Sequence, residues 1–207
     1  MREIALHLLD IAENSVAAKA SEISVSVVED LALDRLKASI VDNGKGMDAE
    51  TVQRVVDPFV TSRTTRKVGL GIPLLKAAAE MCNGGLEISS EVGRGTSLAV
   101  EFQRSHIDRM PLGDLAGTML TLVVAYPNIH WLLEYSARLP GDNGTSTSPR
   151  FCFDDLPIKE ALGVEPGKID AEQAAIFCEP EVLAFIRNQL EDGISTIQST
   201  IQNISVQ

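Results

Sequence analysis

An aspartate followed by closely spaced glycines is the first feature of this sequence that could do chemistry. The run Asp42-Asn43-Gly44-Lys45-Gly46-Met47 directly follows a β-branched segment, so Asp42 is predicted to lie at the end of a strand. A carboxylate there can accept hydrogen bonds from an amino group, and Gly44 and Gly46 let the backbone approach a flat ring and take positive φ. As an isolated pattern, Asp-Asn-Gly is also ordinary turn chemistry.

Two further motifs flank this run. Glu13-Asn14 lies upstream, and Asn14 offers a neutral oxygen suited to magnesium, a hard cation that takes few protein ligands beside phosphates. Gly69-Leu70-Gly71 lies downstream and opens a predicted helix, whose free N–H groups and dipole favour phosphate oxygens. Because Asp42 would accept the amino group of adenine and reject guanine, the three motifs predict binding of ATP with Mg²⁺. The alternatives are a helix-surface amide and ordinary packing glycines.

Residues 57–68 show no hydrophobic periodicity, and their composition predicts a mobile lid. They collect small hydroxyl and basic residues, Thr61, Ser62, Arg63, Thr64, Thr65, Arg66 and Lys67. A lid must exclude water and offset phosphate charge, so Arg63, Arg66 and Lys67 are candidate γ-phosphate contacts. Lys67 is preferred because it lies next to the phosphate glycines. A solvated run of charge is the alternative.

Hydrophobic periodicity predicts the elements that position these groups. Helical spacing across residues 2–19 is set by Ile4, Leu8, Ile11, Ala12 and Ser15. Residues 23–28 and 36–41 are predicted strands, 48–55 a short helix, and 86–90 with 96–102 a closing hairpin. The helix after Gly71 tolerates Pro73 in its first turn.

Taken in order, segments 6–14, 42–47 and 57–71 resemble the three nucleotide boxes of the superfamily that joins gyrase, the heat-shock chaperone, histidine kinases and MutL. The resemblance continues through Gly84-Gly85 and Gly93-Arg94-Gly95-Thr96 and covers about residues 1–103. It implies an α/β fold of the Bergerat type, a two-layer sandwich with a mixed sheet and helices on one face. The predicted domains are residues 1–104 and a small α/β appendage at 105–207.

The resemblance also assigns two candidate roles. Thr96 would reach adenine directly or through a water, although a hairpin threonine is the alternative. Asp10 occupies the position where gyrase and MutL relatives carry the glutamate that activates water, and it shares a helix face with Asn14, four residues on. Aspartate is one methylene shorter than glutamate, so this catalytic role is an expectation based on position.

A second phosphotransfer motif follows the last predicted strand of the first domain. Residues 105–112 resemble the phospho-acceptor box of histidine kinases at Ser, His, Arg, Pro and Leu, but Ile107 stands where that box carries an acid. His106 is therefore a candidate acceptor, and a linker histidine is the alternative. The first nucleotide box begins within ten residues of the N-terminus, which predicts a kinase without an upstream acceptor module.

The scaffold of this superfamily serves several functions, so the sequence leaves three hypotheses. The leading one is an ATP-dependent kinase that transfers the γ-phosphoryl group to a partner protein, or to itself at His106. The second is an ATPase that uses Asp10 as the base. The third is a nucleotide-sensing module that binds a partner without catalysis.

The second half is predicted from periodicity alone. It contains a buried helix at 115–124, strands at 129–135 and 150–153 around a loop, a short helix at 158–162 and a long helix from about Glu181. The long helix carries apolar residues at three- and four-residue intervals, namely Leu183, Ile186, Leu190, Ile194, Ile197, Ile201 and Ile204. This seam allows either a coiled-coil homodimer or packing on its own domain.

Composition and charge argue against several classes of protein. With 44% hydrophobic and 4% aromatic residues, the core must be aliphatic. A net charge of −11 argues against non-specific nucleic-acid binding, which needs a basic surface. No segment supplies the ~20 consecutive apolar residues of a membrane span, and the N-terminus lacks a signal-peptide pattern, so we expect a cytoplasmic protein with no membrane partner.

Overall fold

The computed structural model describes residues 3–56, 71–140 and 148–205. The strands are β1 (Glu22–Asp30), β2 (Arg35–Asp42), β3 (Gly85–Glu91), β4 (Gly95–Gln103), β5 (His130–Arg138) and β6 (Arg150–Asp154). The helices are α1 (Ile4–Ala17), α2 (Ala49–Val56), α3 (Gly71–Met81), α4 (Leu115–Ala125), α5 (Leu156–Ala161), α6 (Ala171–Ile176) and α7 (Pro180–Ser205). The predicted lid with Arg63, Arg66 and Lys67, together with Gly69 and Leu70, lies outside the described residues.

One mixed sheet runs through both halves of the chain. Its strand order is β3-β4-β2-β1-β5-β6, with β5 parallel to β1 and the other neighbours antiparallel. The connection from β4 to β5 passes through α4, as a crossover to a parallel strand requires. Strands β5 and β6 therefore extend the sheet that begins in the first half, and the predicted α/β fold with a mixed sheet is confirmed.

Buried and partly exposed residues alternate along the strands, so one face of the sheet is buried. On β1, Ile23, Val25 and Val27 are buried and alternate with partly exposed residues, and strand register aligns Val25 with Ile40 of β2 and Leu133 of β5. Helices α1, α3 and α7 contact the strands, and α4 packs between α1 and α7. The core thus lies between the sheet and a single layer of helices.

The long helix α7 packs on its own chain. Its seam residues Ile186, Leu190, Ile194, Ile197 and Ile201 are buried, and the helix contacts α4, β5 and β6. A Cβ at Gly193 would overlap the ring of Phe151, so glycine permits this close approach to β6. The predicted alternative of packing within the domain is confirmed, and the buried seam is not available for a coiled coil between subunits.

Polar side chains fix the strands at the start of β5. Asp155 and Lys159 are both 0% exposed, and Lys159 Nζ lies 2.6 Å from Asp155 Oδ2, while Asp155 Oδ1 accepts a 3.1 Å hydrogen bond from the Trp131 amide. Burial raises the pKa of Asp155 and lowers the pKa of Lys159. His130 lies between Glu22 and Asp154, at 3.1 and 3.0 Å, and so joins β1, β5 and β6.

None of the helices in the described part of the chain combines the length and the apolar character that a membrane crossing requires.

Candidate functional site

A cavity of about 300 Å³ lies between α1, α2 and the buried face of the sheet at β2, β3 and β4. Its apolar walls include Ile11, Ile40, Ile72, Ile88 and Leu98, and its polar groups include Asn14, Ser15, Asp42, Lys45, Thr51 and Thr96. Apolar walls with a few converging polar groups suit a flat heteroaromatic ligand. Four residues predicted from the sequence, Asn14, Asp42, Gly46 and Thr96, are brought together here.

Asp42 is the buried acceptor of this cavity. It is the last residue of β2, is 7% exposed, and accepts hydrogen bonds from Ser15 Oγ at 2.7 Å and from the Gly44 amide at 2.9 Å. The two donors are neutral and each reaches a different carboxylate oxygen. Each oxygen therefore keeps acceptor capacity for a ligand amino group, while the geometry of the carboxylate is fixed.

The glycine turn after Asp42 packs closely against the backbone of the β3–β4 turn. Gly46 has φ of +66°, and a Cβ there would overlap the carbonyl oxygen of Glu91. The turn is also held on both sides, because the Lys45 amide donates to Ala18 O at 3.0 Å and the Gly93 amide donates to Lys45 O at 2.8 Å. These contacts join α1 and the β3–β4 turn around the cavity.

Ser90 is a site residue that the sequence analysis did not select. Its Oγ accepts a 2.8 Å bond from the Met47 amide and donates to Gly95 O at 2.9 Å, and Thr96 Oγ1 lies 2.9 Å away. Ser90 thus joins the turn after Asp42 to Thr96, which lines the cavity and pairs with Asp42 in the strand register.

Ser15 and Lys45 were also missed as site residues. The sequence analysis placed Ser15 on the buried face of the first helix because of its spacing, and the structure adds its bond to Asp42. Its position next to Asn14 is the one signal that could have suggested the role. Lys45, between the two glycines, lines the cavity as well.

Asp10 lies one helical turn before Asn14 and outside the cavity lining. It is exposed, and its Oδ2 is 3.4 Å from the position of a Cβ on Gly71, the first residue of α3. A carboxylate at a helix N-terminus is favoured by the helix dipole. The structure thus places the predicted base beside the one phosphate-motif glycine that it describes, and Asn14 in the cavity.

His106 does not join this cluster. It follows the last residue of β4, Gln103, whereas Thr96 lies near the first residue of the same strand. The seven residue steps from Thr96 to Gln103 span about 24 Å in an extended strand. His106 is half-buried in a turn, where its Nδ1 accepts a 3.2 Å bond from the Asp108 amide.

Comparisons with known proteins identify the family of the first half of the chain. The family model described as "Histidine kinase-, DNA gyrase B-, and HSP90-like ATPase" matches residues 1–106. The sensor protein kinase FleS of Pseudomonas aeruginosa is 39% identical over 89 residues, which are 43% of this chain and 22% of that protein. Sporulation kinase D of Bacillus subtilis is 39% identical over 61 residues, 30% of this chain and 12% of that protein. The chain thus spans less than a quarter of the length of these relatives.

A solved structure shares the fold. The N-terminal domain of a DNA repair protein superposes with a TM-score of 0.50 and 11% identity, over 73% of this chain and 52% of that one. This coverage exceeds the part that the family model matches. With Asn14, Asp42, Gly46 and Thr96 lining one cavity and the family model covering residues 1–106, the chain belongs to the family of histidine kinase-, DNA gyrase B- and HSP90-like ATPases.

Proposed function

We propose that this chain binds ATP with Mg²⁺ in the cavity and transfers the γ-phosphoryl group to a partner protein in the cytoplasm. The observation that carries the proposal is the Asp42 carboxylate, which is buried, held by two neutral donors and aimed into an apolar cavity. The family match and the kinase names of the two relatives support it.

The ring of ATP fits the groups that line the cavity. The exocyclic amino group of adenine would donate to Asp42, and Thr96 would reach the ring directly or through a water. Guanine would bring a carbonyl oxygen to the Asp42 carboxylate, and an unpaired buried group of this kind costs ~1–3 kcal/mol. Adenine is therefore the base that the site favours.

The phosphates would extend from the cavity toward the start of α3. Asn14 lines the cavity and offers the amide oxygen that would hold Mg²⁺, whose charge would offset that of the phosphates. Gly69, Leu70 and Gly71 would donate backbone N–H groups, and Lys67 would contact the γ-phosphate. These assignments extend the sequence motifs and rest on the position of Asn14 and Gly71.

The acceptor of the phosphoryl group would lie on another molecule. His106 follows β4 at the end away from Thr96, about 24 Å along the strand, so in-line transfer within one chain has no direct route. Transfer to a partner protein needs no such route. Phosphorylation of His106 would require a second copy of the chain, whose cavity would reach it in a homodimer.

The position of Asp10 favours a second candidate, hydrolysis of ATP. Its carboxylate lies beside Gly71, where the phosphates would end, so it could accept a proton from an attacking water. A module that binds ATP without turnover is the remaining alternative.

The test is incubation of the purified full chain with Mg²⁺ and γ-labelled ATP, with label on protein and free phosphate followed separately. Labelled protein that disappears in His106→Gln would support transfer between copies. Free phosphate that disappears in Asp10→Asn would support the ATPase instead, and bound ATP without either product would support a kinase that needs its partner or a sensor. Normal ATP binding by Asp42→Asn would overturn the site.

A further inference from the structure

The second half of the chain carries a groove of about 370 Å³ between α5 and α7, beside the edge strand β6. Its apolar lining includes Ile158, Leu162, Val182 and Phe185, and its charged lining is Asp154 and Glu181. The ATP cavity is formed over β2, β3 and β4, so the groove is a separate surface.

An aromatic side chain stands exposed at this groove. Phe185 is 59% exposed, whereas Ile158 is 8% exposed and joins the hydrophobic core. The seam of α7 that covers the sheet uses other positions, such as Ile186 and Leu190, so Phe185 is not needed for packing of the helix. A large exposed apolar residue next to apolar neighbours marks an interaction surface.

The groove lies in a strongly acidic part of the chain. Residues 154–192 contain ten acidic and three basic residues. Lys159 is buried against Asp155, and Lys168 pairs with Glu165 at 2.7 Å, so two of the three cations are already neutralised. Both charged residues in the described lining are acidic, and a cationic ligand is therefore attracted while an anionic one is repelled.

Hydrogen bonds and an ion pair hold one wall of the groove. Asp154 Oδ1 faces His130 Nε2 at 3.0 Å and accepts a 2.9 Å bond from the Leu156 amide, so the carboxylate has a fixed position. The Asp155–Lys159 ion pair anchors α5 to the start of β5. A groove that needs little ordering on binding loses less entropy when it is occupied.

We propose that this groove docks a segment of a partner protein that carries one or two large apolar side chains flanked by lysine or arginine. The apolar side chains would contact Phe185 and Val182, and the cations would face Asp154 and Glu181. Binding of an amphipathic segment between two helices is a common mode of peptide recognition. The proposal goes beyond the ATP site and does not rest on it, because docking requires no nucleotide.

The experiment measures fluorescence anisotropy of a short labelled peptide with leucines at helical spacing and lysines between them, titrated with the full chain without ATP. Phe185→Ala removes an exposed ring and should weaken binding about tenfold or more. Glu181→Lys should weaken it by a similar factor, because it places a cation against the cations of the peptide. The matched control is Glu160→Lys, an exposed position on α5 outside the described lining, which should change affinity less than about threefold.

Several outcomes would overturn the proposal. Equal weakening by Glu181→Lys and Glu160→Lys would mean that net charge alone attracts the peptide. Unchanged binding in Phe185→Ala, or equal binding of a peptide with glutamate in place of lysine, would contradict the groove or its charge preference. Self-association of the wild type that Phe185→Ala abolishes, measured by sedimentation velocity, would identify a second copy of the chain as the occupant.

Discussion

Asp42 and Asp155 are both buried at the ends of strands, but their hydrogen-bond and charge partners differ. Asp42 ends β2 and bonds Ser15 Oγ and the Gly44 amide, which are neutral donors, beside a cavity of about 300 Å³. Asp155 follows β6 and bonds the Trp131 amide while its charge is matched by Lys159 at 2.6 Å. The first keeps acceptor capacity that no cation occupies in the described part of the chain, whereas the charge of the second is matched by Lys159.

The difference shows how a buried carboxylate can be interpreted from its partners. Burial of a charge is unfavourable unless a partner or hydrogen bonds compensate it. Asp155 is paired with Lys159 and with the Trp131 amide, and so contributes to the architecture of the second half. Asp42 is fixed in place and incompletely matched, which is the arrangement expected of a binding group. Three substitutions can break or sharpen this comparison.

The largest effect is expected from Lys159→Met. Removal of the cation leaves Asp155 buried without a counter-charge, so the free energy of unfolding should fall by about 3–5 kcal/mol in urea titrations at neutral pH. Because burial raises the pKa of Asp155 above its unfolded value, the deficit should be smallest at acid pH, grow as the pH rises from the unfolded to the folded-state pKa, and then level off. The exposed pair of Lys168 and Glu165 supplies the control, since Lys168→Met should cost less than about 1 kcal/mol. Equal losses in both variants would contradict the structural role of Lys159.

The next effect is expected from Asp42→Asn. The amide would place a donor against the amino group of adenine, so ATP affinity measured by calorimetry should fall about tenfold to hundredfold, while stability changes less than in Lys159→Met. Asp108→Asn removes the same charge from an exposed turn and should leave the affinity unchanged. A large loss of stability together with intact ATP binding would reverse the comparison between the two aspartates.

The smallest effect is expected from Ser90→Ala. The Met47 amide would lose its acceptor and Thr96 would lose its fixed orientation, so ATP affinity should fall about fivefold, as for one net hydrogen bond. Ser89→Ala, at the neighbouring exposed position of β3, is the matched control. If both serines give the same affinity, Ser90 has no role in orienting the site.

Most secondary structure could be predicted from the sequence because its causes are local. The spacing of Ile4, Leu8 and Ile11 predicts α1, and alternation predicts β1 and β2 with Asp42 at the strand end. The hairpin of β3 and β4 and the elements of the second half follow the predicted order, except that the short helix α6 was not predicted. The structure also brings Asn14, Asp42, Gly46 and Thr96 together in one cavity, and their roles toward a nucleotide stay predictions.

The pairing of the strands in the second half could not be predicted from the sequence. The sequence suggested a small appendage after residue 104, but parallel pairing of β5 with β1 extends one sheet through both halves. Nothing in the local pattern of residues 130–138 specifies which strand they join. That choice depends on how α4 crosses the core.

The sequence by itself determined most of the helices and strands and the order of the motifs, and it predicted Asp42 as the adenine acceptor, since each depends on residues close together in the chain. Only the tertiary structure decided which side chains support that acceptor and which carboxylate is neutralised. Ser15 and Asp42 are 27 residues apart, Met47 and Ser90 are 43 apart, and Trp131 and Asp155 are 24 apart. Such contacts are set by the packing of helices on a shared sheet, which no local pattern encodes.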